Sequence, residues 1–303
     1  MNKEIIKDDI YRSIYVWGRL LKQLRNKLID DSITYKYEIS IAVIVKDEGL
    51  YLEEWIRYHR YVGIDHIYIY DNGSADNTLL IANKYVKSGY VTLIQFPGQG
   101  VQLDAYNDAI ERFQNESKYI AFIDADEFLF SLDKNYGVKE QILNIMEKYP
   151  KASGLAINWR MFGSSGHIHK PSVGGVIDNF LYCSKIDGKG NNCIKTVVKT
   201  KQVYRFRHCH YPIYVLGGYS IDENGKKVKT WRNDGFSPSM IRINHYFTKS
   251  YDEWMIRRSR PKADYKDVNA KRTIEEFYEH DNNDIYDDGM LEYSIKLKSD
   301  FED

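Results

Sequence analysis

The stretch ISIAVIVKDEGLYLEEWIRYHRYVGIDHIYIYDNGS, residues 39–74, contains the changes of rhythm that decide the fold. Ile39 to Val45 is a continuous apolar run rich in β-branched residues, the pattern of a strand buried on both faces. Leu50 to Val62 follows at helical spacing, with Leu52, Trp55, Ile56 and Tyr58 as its apolar members. His66 to Tyr70 reads as a second strand, and Asp71-Asn72-Gly73-Ser74 closes it with strong turn chemistry.

Working outward, the same alternation continues. Asp76 to Lys87 reads as a helix, Val91 to Phe96 as a strand, Gln102 to Phe113 as a helix and Tyr119 to Ile123 as a strand running into Asp124. Strands that alternate with helices predict an α/β fold, a mostly parallel sheet with helices on both faces. Ligands of such sheets bind in the crevice beyond the carboxyl ends of the strands. Three polar clusters fall at those ends: Lys46-Asp47-Glu48, Asp71-Asn72 and Asp124-Ala125-Asp126. After Phe130 the alternation loosens. Val138 to Tyr149 reads as a helix, Gly154 to Trp159, Cys193 to Lys199, Val203 to His208 and Met240 to Phe247 as strands, and Gly163 to Gly175 as a Gly/Ser-rich loop. Ser250-Tyr251-Asp252-Glu253 is a capping box that opens a further helix.

At the amino end Ile10, Ile14, Trp17, Leu21, Leu24 and Leu28 recur at helical spacing among basic residues. Such a helix either packs on its own domain with a solvated basic face or makes peripheral contact with an anionic membrane surface. The partition that follows is an amphipathic helical extension over 1–36, one catalytic domain over 37–260, and a C-terminal helix with an acidic, loosely ordered tail over 261–303. Lys+Arg and Asp+Glu balance at 43 each, so nothing in the charge points to nucleic acid. No stretch approaches the ~20 apolar residues of a membrane span, and the charged opening MNKEIIKDDI does not read as a signal peptide. A cytoplasmic location is expected. The three cysteines imply no disulfide framework; Cys209, between His208 and His210, raises zinc, although a structural zinc normally takes four ligands.

Asp124 and Asp126, in FIDADEFL, are two positions apart at a strand end, so their carboxylates point to the same side of an extended chain. Two carboxylates so placed repel each other unless a cation sits between them. Magnesium or manganese commonly bridges such a pair to substrate phosphates. A turn with acidic helix-start residues is the alternative that Asp-x-Asp alone leaves open. A dinucleotide-binding oxidoreductase fails on its phosphate loop, because Gly98-Gln99-Gly100 is followed by Leu103 and lies outside the first strand–helix turn. No Gly-x-Ser-x-Gly elbow suggests a hydrolase.

The segments KDEGLYLEEWIRYHRYVGIDHIYIYDNGSADNT, QLDAYNDAIERF, YIAFIDADEFL, INWRMFGSSGH, CIKTVVK, HCH and INHYFTKSYDEW, in this order over roughly 39–260, together resemble glycosyltransferase family 92 and its bacterial relatives in the family 2-like GT-A group. The resemblance implies a GT-A fold, a UDP-sugar donor, Mn²⁺ or Mg²⁺, and transfer with inversion to a glycan or lipid-linked oligosaccharide. It also implies site residues. Val45, Lys46, Asp47 and Glu48 would line the base and ribose, Asp71 would face the uracil, and Gln102 and Asn107 would flank the donor. Asp124 would contact ribose and metal, Asp126 would bind the metal directly, and His245 would complete its coordination. Asp178 takes the catalytic base's position, with Glu127 and Asp234 as fallbacks. Lys195, His208, His210, Lys249, Arg257 and Arg260 form a reservoir of positive charge for the diphosphate, and Trp159 and Phe162 would shape the acceptor side. A non-catalytic nucleotide-sugar- or glycan-binding protein on the same fold is the rival reading.

Overall fold

The computed structural model describes residues 17–19, 34–215, 217–262, 266–267 and 269–299. Most of the expected N-terminal helix, and with it the proposed membrane contact, lies outside those residues. Among the described residues no helix is long and apolar enough to cross a membrane.

The predicted alternation is present. Strand β1 (Tyr37–Val45) leads to helix α1 (Leu52–Tyr61), β2 (His66–Asp71), α2 (Thr78–Lys87), β3 (Val91–Gln95), α3 (Gln102–Phe113) and β4 (Ser117–Phe122). β1 pairs in parallel with β2 on one side and β4 on the other, and β2 pairs in parallel with β3. The spatial order is therefore β3-β2-β1-β4, and the order reverses at β1, where the switch-point crevice of an α/β sheet opens.

The strand period of two explains how one apolar run serves two layers. Ile39, Ile41, Val43 and Val45 of β1 join Trp55, Ile56 and Tyr58 of α1 in the larger core. Ala42 points the other way, with Tyr68, Tyr70, Tyr106 and Phe122, into a second core beneath α3. The sheet thus has helices on both faces, as the alternation predicts.

Beyond β4 the sheet becomes mixed. β5 (Glu127–Ser131), α4 (Val138–Lys148), β6 (Gly154–Met161), the four-residue α5 (Val176–Asn179), β7 (Ile194–Lys199) and β8 (Ile241–His245) follow in order. β7 lies antiparallel between β4 and β6, while β8 pairs antiparallel with β5 and parallel with β6. The register sets His245 opposite Glu127, which carries the late histidine to the Asp124–Asp126 turn.

Helix α1 fixes β5 from beneath. Trp55 Nε1 donates to Glu127 O at 2.7 Å, and Tyr58 OH donates to Leu129 O at 2.6 Å. His59 Nδ1 bonds Trp55 O at 2.9 Å and Nε2 meets Leu129 N at 3.4 Å, so one neutral tautomer serves both contacts. Burial lowers His59 to about 3 and keeps it neutral.

The capping box at Ser250 forms as predicted and opens α6 (Tyr251–Arg258). The carboxyl end differs from the expected loose tail. After α7 (Ile274–His280), helix α8 (Leu291–Ser299) packs on the domain, with Met290 and Leu297 in the main core and Asp287 ion-paired to Arg242 at 2.6 Å. Apolar positions spaced among the acidic residues supply that anchoring.

Candidate active site

A cavity of about 450 Å³ opens at the switch point. The end of β1 and the segment after it supply Val45, Lys46, Asp47 and Glu48; the turn after β4 supplies Asp124, Ala125 and Asp126; β8 supplies His245; and α6 with the chain behind it supplies Arg257 and Arg260. Asn72, Gln102, Trp159, Cys209, His210 and Arg272 also line it.

Strand β4 ends at Phe122, and the chain turns so that Asp124 N donates to Glu127 Oε2 at 3.0 Å. The Asp124 carboxylate is held on both oxygens. Lys195 Nζ lies 2.8 Å from Oδ2, while Gln102 Nε2 and Tyr106 OH donate to Oδ1 at 3.0 and 3.2 Å. Asp126 faces the opposite wall. Its Oδ2 is 2.9 Å from Arg257 Nη2, and its Oδ1 is 3.5 Å from His245 Nε2. Arg257 is aimed there by a second bond, from Nη1 to Phe247 O at 2.8 Å.

Electrostatics separate three neighbouring acids. Burial alone would raise Asp126, but Arg257 and then His245 outweigh it and hold the carboxyl well below its usual range. Burial pushes Glu127 well upward; Asp124 and Asp126 add to the rise and Lys195, 3.8 Å away, opposes it. Lys195, almost wholly buried under the turn, is disfavoured as a cation by burial, yet Asp124 and Glu127 raise it well above an ordinary lysine. A buried cation thus balances the turn from below, and Arg257 balances it from the side.

The donor set fits a divalent ion. Two carboxylates and one imidazole converge on the cavity, and His245 Nδ1 is buried with no hydrogen-bond partner. Oxygen ligands suit magnesium or manganese, and the imidazole favours manganese of the two.

Among the other expected residues, Asp47 takes a left-handed conformation (φ 54°) that lets its Oδ1 accept from Ala75 N at 2.7 Å, while Oδ2 sits 3.3 Å from Arg260. Glu48 lies on the wall, 3.7 Å from Lys249. Lys249 is not on the cavity wall and rests over the Tyr51 ring. Asn107 is also placed elsewhere: both ends of its amide bind Phe206, tying α3 to the strand Val203–Phe206. Lys195 supports Asp124 from beneath and does not line the cavity.

Two further expected residues also lie off the cavity wall. Asp71 does not face the cavity. It is fully buried and accepts the backbone N–H groups of Gly73 and Ser74, holding its own turn, and Asn72 beside it lines the wall. Asp178 likewise is turned away. Its carboxylate accepts from Gly175 N at 3.1 Å, from Lys298 Nζ at 2.8 Å and from Ser294 Oγ, which fastens α8 to α5. Of the fallbacks, Glu127 is buried behind the turn and Asp234 pairs with Asn192, both off the wall. Arg257 and Arg260, whose helical spacing equally suits a solvated face, line the cavity together with Lys46 and Arg272.

Comparison with known proteins places these features in a family. The model of glycosyltransferase family 92 matches residues 35–279. A glycosyltransferase family 92 protein of Ricinus communis is 25% identical over 139 residues, covering 46% of this chain and 25% of the relative. A second, from Oryza sativa subsp. japonica, is 28% identical over 139 residues, covering 46% and 24%. The chain thus spans about a quarter of the length of these curated relatives. Among solved structures, S. aureus TarS (residues 1–349) shares 16% identity over 54% of this chain and 47% of that chain, with a TM-score of 0.33. Glucosyl-3-phosphoglycerate synthase from Mycobacterium tuberculosis, crystallised with Mn²⁺, UDP-glucose and phosphoglyceric acid, shares 18% identity over 41% and 44%, with a TM-score of 0.30.

Proposed function

The chain belongs to glycosyltransferase family 92, and from that premise we propose that it transfers a sugar from a UDP-sugar donor, with inversion, to a glycan or lipid-linked oligosaccharide. The observation that carries the reading is the meeting of Asp124, Asp126 and His245 at the switch-point cavity, with arginines beside them.

Charge balance supports a diphosphate bound together with a divalent ion. The wall carries four carboxylates (Asp47, Glu48, Asp124, Asp126) and four cations (Lys46, Arg257, Arg260, Arg272). A nucleotide diphosphate entering alone would press its negative charge against those carboxylates. In this reading Asp124, Asp126 and His245 hold Mn²⁺ or Mg²⁺. Such an ion supplies a Lewis acid that neutralises charge developing on the departing diphosphate.

The protein's own groups do the rest. Arg257 lines the cavity while held by Asp126 and Phe247 O, and its remaining N–H groups would donate to a phosphate oxygen. Arg260, tethered by Asp47, extends the same positive rim. Val45 to Glu48 form the floor for base and ribose. Asn72, whose Oδ1 already accepts from Gly98 N at 2.7 Å, offers its amide N–H groups to a base carbonyl in the role expected of Asp71. Trp159, packed between His210 and His245 at 5.0 and 4.3 Å, forms the wall on which the transferred sugar would lie.

Turnover of a panel of UDP-sugars with manganese, against EDTA, tests the proposal. Metal-dependent release of UDP that disappears in Asp126→Ala is the expected result. Undiminished turnover in EDTA, or in a folded Asp126→Ala, would refute it, and nucleotide binding without turnover would favour the non-catalytic reading.

A further inference from the structure

The loop Arg207–Tyr211 joins the antiparallel strands Val203–Phe206 and Pro212–Tyr214, whose pairing of Phe206 with Pro212 forces a tight bend. Within that bend one ligand atom each of His208, Cys209 and His210 lies within 4.8 Å of the others. Along an extended chain Cys209 would point away from the two histidines; the bend brings the three together. We propose that His208, Cys209 and His210 form a second metal site, selective for a thiophilic ion such as Zn²⁺ and separate from the carboxylate centre.

The loop is pinned in a form suited to ligation. His210 Nδ1 bonds Ile194 O at 2.7 Å, which fixes that nitrogen as the donor and leaves the Nε2 lone pair for a ligand. A ring N–H held by a carbonyl is the usual support of a metal-binding histidine. Thr196 Oγ1 donates to His210 O at 2.6 Å, while His210 N donates to His208 Nδ1 at 3.3 Å, a weak bond that His208 would exchange for the ion. The His208 ring stacks with Tyr211 at 5.3 Å and Trp231 at 6.2 Å.

Donor chemistry separates the two centres. Two imidazoles and one thiol, with no carboxylate, suit zinc, whereas the oxygen-rich Asp124–Asp126 turn suits a hard ion. Ligands of tetrahedral zinc stand roughly 3.5 Å apart, so an ion would draw together three atoms that already lie within 4.8 Å of one another. Three protein ligands leave a position open, and because Cys209 and His210 line the cavity, an ion there is reachable from it.

Cobalt(II) reports thiolate ligation directly. Titrating the full chain with Co²⁺ should give a near-ultraviolet sulfur-to-cobalt charge-transfer band that saturates at one equivalent and is displaced by Zn²⁺. Cys209→Ser and His210→Ala should lose the band, while Asp126→Asn should keep it. Absence of the band in the wild type overturns the proposal, as does its persistence in Cys209→Ser. Its loss in Asp126→Asn would overturn it as well, by merging the two sites.

Discussion

Replacing Asp126 by alanine should destabilise the protein even when no metal is present. Paired acids at a strand end suggest the reverse, since removing one of two repelling carboxylates ordinarily relieves the folded state. The structure changes the sign. Asp126 is almost fully buried, lies 2.9 Å from Arg257 and 3.5 Å from His245, and is held ionised well below its ordinary 3.8. Alanine would leave the Arg257 guanidinium with Phe247 O and only the weaker attraction of Glu48 and Asp124 as counter-charge. Breaking a buried pair costs ~3–5 kcal/mol. The Arg257 side chain keeps 29% of its exposure, and solvent screening brings the figure to about 2–3 kcal/mol. For a chain of this size that is a fall in Tm of roughly 3–5 °C. Thermal melts in EDTA at neutral pH measure it. Because the folded carboxyl titrates lower than the unfolded one, its stabilisation is present above the ordinary value and is lost as pH falls through the folded value. The gap between wild type and variant should therefore stay constant from pH 8 to 5 and close in acid. An equal or higher Tm for Asp126→Ala in EDTA would refute the charge arrangement.

Glu54, which accepts the N–H groups of Val176 and Ile177 at 2.6 and 3.3 Å, is raised by burial to about 7 from 4.5. The folded state then holds a proton the unfolded state releases, so this contribution is full below 4.5 and lost as pH rises to about 7, at most ~3 kcal/mol; Glu54→Gln should flatten that slope in urea titrations. Lys195→Met should cost ~3–5 kcal/mol by leaving Asp124 and Glu127 unbalanced, with the loss steepening at alkaline pH; melting curves of variant and wild type against pH give the answer. Asp178→Asn should keep turnover within about twofold, far from the ~10²–10⁴ lost with a general base. It should instead increase protease cleavage ahead of α8, and a collapsed rate would restore the catalytic role.

The parts of this protein legible in the sequence are those governed by local pattern. The apolar run of β1, the turn after β2 and the capping box at Ser250 each follow from neighbours within a few residues. So does the place of Asp124 and Asp126, because a strand end in an α/β sheet is a fixed location. What could not be read depends on register and long-range packing. His245 reaches the turn only because β8 pairs antiparallel with β5. Arg257 looks like one of a row of solvated cations until the cap at Ser250 and the bond to Phe247 O aim it inward. Asp71 and Asp178 lie off the cavity wall for a shared reason: short polar side chains bond nearby backbone first, and both do so here. Lys195 reads as a phosphate ligand from its type, but its position in the central β7 buries it under Asp124.

The most direct measurement is the effect of UDP on the melting temperature with manganese and with EDTA, with ADP alongside. A ligand that binds only the folded chain adds about 2.7 kcal/mol at a hundredfold excess over its Kd. The account predicts that UDP with manganese raises Tm clearly more than UDP with EDTA, and more than ADP under either condition. Equal stabilisation with and without metal, or by ADP as well as UDP, would contradict a metal-assisted UDP-sugar site at Asp124, Asp126 and His245.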